Sequence, residues 1–127
     1  MTTSRQIGLL WGLVALALVA LSPLAPQLAT AAPACPLKSI AGLPCPTCGA
    51  TRAALALVAF DPWAAVMLNP LATGAWLLLI GGGLAALAYT LTGRRLPTLP
   101  NRLPMTLRLA AVAAVTVNWI YLVVVGT

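Results

Sequence analysis

The chain has 127 residues, of which 61% are hydrophobic and only 6% charged, with seven Lys/Arg against one Asp/Glu and a mean hydropathy of +1.02. A soluble domain carries about a quarter charged residues because its surface faces water, so this composition excludes an ordinary soluble domain. The net charge of +6 is no nucleic-acid footprint either: four of the seven cations fall within residues 94–108, with no basic stripe interleaved with stacking aromatics. Crowding of that kind is a membrane-topology signal. The expected fold class is an all-α integral membrane protein. It has three transmembrane helices plus one or two short interfacial or re-entrant helices, in a single membrane domain over 1–127.

The first apolar run covers residues 7–25 and is broken only by Ser22 and Pro23. Spanning helices need roughly 20 mostly apolar residues, with about 17 as a lower limit. Arg5, the apolar stretch and Ala29-Thr30-Ala31 also resemble a signal peptide with a small-residue cleavage site. The apolar stretch outruns a signal peptide's core of about 7–15 residues, so the helix is expected to be retained.

Residues 33–46 follow as a loop rich in Cys, Pro and Gly. The distinctive stretch runs from Cys35 to Arg52, with all three cysteines inside 14 residues. Cys45-Pro46-Thr47-Cys48 has the C-x-x-C spacing of dithiol redox motifs. Pro46 suits a first helical position, which would put Cys45 at a helix N-terminus, where unpaired N–H groups favour a thiolate. Arg52 adds positive potential if that helix continues past Cys48, and Cys35 could exchange with the pair. Thus Cys45, Cys48 and Cys35 are the candidate catalytic thiols. A structural bridge from Cys35 to Cys45 or Cys48 is the competing reading. It closes a loop of about a dozen residues, worth on the order of 3 kcal/mol by loop entropy. No metal site is expected: with no His and three Cys, a closed zinc site lacks a fourth ligand unless Asp61, a second protomer or water supplies it.

Residues 47–69 read as two short helices. Asp61-Pro62 and Asn69-Pro70 each pair a good N-cap with Pro at the first helical position. Neither helix is long enough to cross a bilayer, so the segment is interfacial or re-entrant. Thr51 and Arg52 suit an anionic ligand or a lipid headgroup. Asn69 and Asn118 are amides at or in apolar segments and read best as interhelical hydrogen-bonding groups. Trp63, Trp76, Trp119 and Tyr121 fit interfacial belts or helix packing.

The second run, residues 71–91, carries no charge, and the third covers residues 109–125 just after Arg108. Gly8-x-x-x-Gly12, Gly81-Gly82-Gly83 and Ala110-x-x-x-Ala114 offer small faces for close helix contact. If all three runs span, Arg5, Arg94, Arg95, Arg102 and Arg108 share one side, and Lys38 and Arg52 the other. The excess of positive charge then puts the N-terminus in the cytoplasm and the cysteine loop outside.

The stretch Cys35-Pro36, Gly42-Leu43-Pro44-Cys45-Pro46-Thr47-Cys48-Gly49-Ala50-Thr51-Arg52-Ala53, then Asp61 and Asn69-Pro70, resembles a family of small bacterial membrane proteins, the domain of unknown function 2752 family. The resemblance covers about residues 35–71. It implies a bacterial inner-membrane location and marks Cys35, Gly42, Pro44, Cys45, Pro46, Cys48, Gly49, Thr51, Arg52, Asp61, Asn69 and Pro70 as the motif; it implies no activity. With one Asp, no Glu and no His, acid–base catalysis has almost no players, which leaves hydroxyl nucleophiles without an activating base and points to the thiols as the nucleophiles. The leading reading is a non-enzymatic binding or assembly component with an extracytoplasmic Cys-rich loop. The alternatives are a membrane thiol–disulfide oxidoreductase using Cys45 and Cys48, and a subunit of a small oligomeric transporter. Expected partners are the lipid bilayer and a protein partner or further copies meeting through membrane helices; no nucleic acid and no cofactor are expected.

Overall fold

The computed structural model describes residues 3–31, 35–94 and 103–126. Among these, every regular element is helical. Helix α1 (Thr3–Leu21) passes through a single 3-10 turn at Ser22–Leu24 into α2 (Ala25–Thr30). Then come α3 (Pro36–Ala41), α4 (Ala50–Val58), α5 (Pro62–Leu68), α6 (Pro70–Leu91) and α7 (Met105–Val125). Three stretches, Ser4–Thr30, Pro70–Leu91 and Met105–Val125, are long and apolar enough to cross a membrane, and few of their side chains are buried within the protein. An outward-facing apolar surface on this scale suits lipid, and helices satisfy their backbone groups without water.

The helix boundaries differ from the apolar runs in instructive ways. The first stretch stays helical to Thr30 because Pro23 is absorbed by the 3-10 turn, while Pro26 sits in the first turn of α2, where a missing N–H is harmless. Helix α7 begins four residues before the apolar run, launched by extended Pro104 (φ −58°, ψ 149°), so Arg108 lies in its first turn. The expected loop 33–46 contains α3, with Cys35 extended at its N-cap, Pro36 following, and Gly42 closing it in the left-handed region. Arg95, Arg102, Pro97 and Pro100 lie outside the described residues.

The chain forms two compact units. In the first, residues 1–23 and 75–101, α1 meets the later part of α6 through small residues. Gly8, Gly12 and Ala15 are buried on α1, and Gly83, Ala86 and Thr90 on α6. A Cβ on Gly83 would stand 2.6 Å from Ala15 Cβ and 2.9 Å from the Trp11 carbonyl, and one on Gly12 would overlap Leu87 Cβ. That approach lets the Trp11 indole N–H donate to the Leu79 carbonyl at 2.9 Å. Gly81 faces open space, and Ala110 and Ala114 are exposed, so only part of the small-residue pattern is used within the described chain.

The second unit, residues 24–74 and 102–127, holds the cysteine segment. Helix α4 packs on α5, and α2 on α4. Helix α4 ends with Asp61 N–H donating to Ala56 C=O (2.9 Å) and Phe60 N–H to Leu57 C=O (3.0 Å). This is a Schellman motif, in which the left-handed position normally belongs to glycine. Here Phe60 occupies it at φ 59° and is 94% exposed. Asp61 then caps α5, its Oδ1 accepting from Ala64 N–H at 2.9 Å.

The two α6 glycines give a controlled comparison. Gly83→Val should lower thermal stability in detergent by about 1–3 kcal/mol through overpacking. Gly81→Val, the same change into open space, should leave it near wild type.

Candidate thiol site

Between Gly42 and α4 the chain is irregular, and its backbone polar groups need partners from elsewhere. Residues 46–49 form a turn: Cys48 N–H donates to Cys45 C=O at 2.9 Å and Ala50 N–H to Thr47 C=O at 3.0 Å. Gly49 ends the turn at φ 82°, and a Cβ there would press within 3.1 Å of the Leu68 carbonyl. It therefore needs glycine twice over, for its left-handed backbone and for its close approach to the end of α5. Helix α4 starts only at Ala50.

Cys45 is accordingly not at an α-helix N-terminus, as Pro46 had suggested. The left-handed Gly49 separates the turn from α4, because a right-handed helix cannot run through that conformation. It is Cys35, at the start of α3, that occupies a helix N-cap.

The turn brings the sulfurs together. Cys45 Sγ lies 3.4 Å from Cys48 Sγ and 3.2 Å from Thr47 Oγ1. The backbone N–H of Cys45 donates to Cys48 Sγ at 3.2 Å. With Cys35, the three sulfurs all lie within 4.8 Å of one another. All three are free thiols, Cys48 buried and the other two half-buried. The Cys35 thiol is lowered to about 7, first by the backbone N–H of Lys38, then by the side chains of Cys45 and Cys48, with burial opposing. The Cys48 thiol is pushed up to about 11, first by burial and then by Cys45 and Cys35 beside it.

The loop is held by the Asn69 side chain at the junction of α5 and α6 and by polar side chains of α7. Asn69, fully buried, donates through Nδ2 to Cys48 C=O (2.9 Å) and Pro46 C=O (3.3 Å), while its Oδ1 accepts from Ala72 N–H (2.9 Å). It therefore ends α5, caps α6 and holds the thiol turn at once. Asn118 on α7 donates to the same Pro46 carbonyl at 3.2 Å and accepts from Leu71 N–H at 3.1 Å. Trp119 Nε1 donates to the carbonyl of buried Pro44 at 2.8 Å, and the Tyr121 hydroxyl to Met67 C=O at 2.7 Å. The prolines at 44 and 46 have no N–H to satisfy; what they present inward is a carbonyl each.

Of the residues singled out in the sequence, Cys35, Pro44, Cys45, Pro46, Cys48, Gly49 and Asn69 come together here. Gly42 ends α3, Pro70 opens α6 and Asp61 caps α5. Thr51 and Arg52 are exposed, and Arg52 makes no ion pair with any described residue. From the sequence Asn118 reads as an interhelical hydrogen-bonding group, which its bond from Leu71 N–H on α6 matches; Trp119 and Tyr121 read as packing or belt residues, and their bonds to the Pro44 and Met67 carbonyls do not follow from that reading. Their run of polar atoms on one stretch of an otherwise apolar helix was the available signal that they grip something specific.

The fold and the site together define a multi-pass membrane protein with a loop-borne cluster of three thiols. Residues 35–83, from the first cysteine through α5 into α6, match the family described as Protein of unknown function (DUF2752). No curated protein and no solved structure matches the chain.

Two measurements probe the frame and the thiols. Asn69→Ala removes a helix cap and leaves buried carbonyls without donors, a loss on the order of 3 kcal/mol. Asn118→Ala should cost about 1–3 kcal/mol. Since both amides serve the Pro46 carbonyl, the double variant should depart from additivity, as read from thermal unfolding in detergent.

The thiols should separate by pH. An ordinary cysteine titrates near 8.5. Cys35, lowered in the folded chain, gives stability present above that value and lost as pH falls through about 7. Cys48, raised, gives stability present below it and lost as pH rises through about 11. Alkylation of the reduced protein, scored per cysteine by mass spectrometry, should show Cys35 half-reactive near pH 7 and Cys48 still slow at pH 9.

Proposed function

We propose that this protein is a non-enzymatic binding component of the bacterial inner membrane whose working site is the thiol cluster on an extracytoplasmic loop. One observation carries the reading: three sulfurs within 4.8 Å of one another, on a turn whose backbone is gripped by two buried amides, Asn69 at the α5–α6 junction and Asn118 on α7. A site held this way is pre-organised, which reduces the ordering cost of binding. The outside placement rests on the cation distribution, with Arg5 and four arginines of residues 94–108 on the cytoplasmic side. Helices α4 and α5 lie at the bilayer surface in this reading, with Phe60 and Trp63, 94% and 74% exposed, turned to lipid. Arg52 is free to meet a headgroup or partner phosphate. Oligomerisation through the exposed faces of α7 is compatible with it.

The 3.4 Å separation of Cys45 and Cys48 sulfurs favours a second reading, thiol–disulfide exchange. A thiolate of the cluster would attack a substrate disulfide, forming a mixed disulfide and releasing one substrate thiol. A second thiolate would then resolve it, leaving a Cys–Cys bridge and the second substrate thiol. The attacking group best suited to this is Cys35 rather than Cys45, given its place at the α3 N-cap.

Intact cells separate the readings. In Cys45→Ser/Cys48→Ser protein, a membrane-impermeant maleimide should reach Cys35 from outside and should not reach a Thr98→Cys probe in cysteine-free protein. Membranes carrying Cys48→Ser or Cys45→Ser should yield no mixed-disulfide adducts. Recovery of covalent partners from either would replace the binding reading by exchange, and labelling of the Thr98→Cys probe alone would reverse the orientation.

A further inference from the structure

We infer that the three thiols form a single site for a thiophilic closed-shell cation, Cu(I) or Zn²⁺, held by Cys35, Cys45 and Cys48. This deepens the binding reading above and rests on it, by naming the ligand class.

Geometry comes first. A triangle with one edge of 3.4 Å and none beyond 4.8 Å has a centre no more than about 2.6 Å from each sulfur, against about 2.3 Å for a zinc–thiolate bond. Closing that gap takes a few tenths of an ångström per sulfur, within the reach of a χ1 adjustment. A disulfide between Cys45 and Cys48 would need the two sulfurs to approach from 3.4 Å to about 2.05 Å, and would engage two of the three cysteines. The triangle uses all three cysteines.

The donor set comes next. Sulfur alone, with no imidazole or carboxylate in the group, selects soft cations and disfavours Mg²⁺, Ca²⁺ and Mn²⁺. Three thiolates complete a trigonal Cu(I) site. For Zn²⁺ they supply three of four ligands and leave one position for water. The surroundings fit thiolate ligands too. Cys45 N–H already donates to Cys48 Sγ, and Thr47 Oγ1 lies 3.2 Å from Cys45 Sγ; hydrogen bonds of this kind orient and stabilise metal-bound ligands. Cys48 is buried at the base, while half-buried Cys35 and Cys45 leave the triangle open on one side, through which a cation can arrive and leave.

The binding step balances simply. Three metal–sulfur bonds form, each thiol that was protonated releases its proton to solvent, and no electrons move. The net charge of the bound site is −1 with Zn²⁺ and −2 with Cu(I), on a chain whose formal charge is +6.

The test uses the full-length protein in detergent, fully reduced and metal-free. Zn²⁺ is titrated in competition with a fluorescent zinc chelator, and Cu(I) in competition with bicinchoninate. The expected result is one equivalent per chain for at least one cation, with a sulfur-to-metal charge-transfer band in the near ultraviolet. Cys35→Ser, Cys45→Ser and Cys48→Ser should each weaken binding by about 100-fold. X-ray absorption on the wild-type complex should count three sulfur ligands, a readout that does not depend on any variant folding. The arm that binds identifies the cation. Undiminished affinity in Cys35→Ser, or two sulfur ligands instead of three, would overturn the three-thiol site. If neither cation binds at micromolar concentration, the metal assignment fails. The binding reading fails with it only if the cysteine variants also trap covalent partners; without adducts it stands and requires a different ligand.

Discussion

The buried carboxamide of Asn69 is the contact on which the second unit depends. One side chain donates to two carbonyls of the thiol turn and accepts from the first turn of α6. A polar group with no exposure in an apolar protein must be fully paired, since water cannot rescue it. Asn69 meets that demand only when the turn, the end of α5 and the start of α6 are all in their native places. Its own carbonyl receives the buried Thr73 hydroxyl at 2.9 Å, which extends the network one turn into α6. Asn118 adds α7 to the same arrangement through the shared Pro46 carbonyl.

That arrangement explains why a loop with little internal secondary structure can hold three sulfurs close together. Residues 43–49 bury almost no large apolar side chain. Their order comes from carbonyls gripped by amide and indole donors at the α5–α6 junction and on α7, and from two residues with special backbones. Gly49 turns the chain sharply and lets it approach the Leu68 carbonyl; Gly42 ends α3 so that Cys35 and Cys45 can face one another. Rigid support of this kind suits the proposed binding role, because the groups are ordered before a ligand arrives. The first unit works differently, by direct backbone approach at Gly12 and Gly83 and one indole bond to a helix carbonyl. Phe60 is the local exception in sequence logic. An aromatic residue takes the position a glycine would fill and exposes nearly its whole ring, which is favourable only where lipid or a partner covers it.

Much of this was legible beforehand because the relevant physics is local. Three runs of apolar residues near the bilayer thickness can only be helices there, since unpaired backbone groups are too costly in hydrocarbon. Asp61-Pro62 and Asn69-Pro70 announce helix starts by their own side chains and rings, and α5 and α6 begin where they stand. Compact cysteine spacing marked the segment whose three sulfurs lie within 4.8 Å of one another. Local reasoning failed at Pro46. Proline is equally at home in the first turn of a helix and in a tight turn, and what excludes the helix is the left-handed Gly49 three residues on.

The sequence by itself thus determined the membrane class, the three long helices and the starts of α5 and α6, because length, hydropathy and capping act over a few residues at a time. Only the tertiary structure decided which thiol sits at a helix start, that all three sulfurs form one triangle, and that Asn69, Asn118 and Trp119 hold the turn beneath them. The last of these depends on contacts between residues 21 to 75 positions apart. Chain spacing does not constrain such contacts; they follow from the need of each buried donor and acceptor to find a partner in the folded chain.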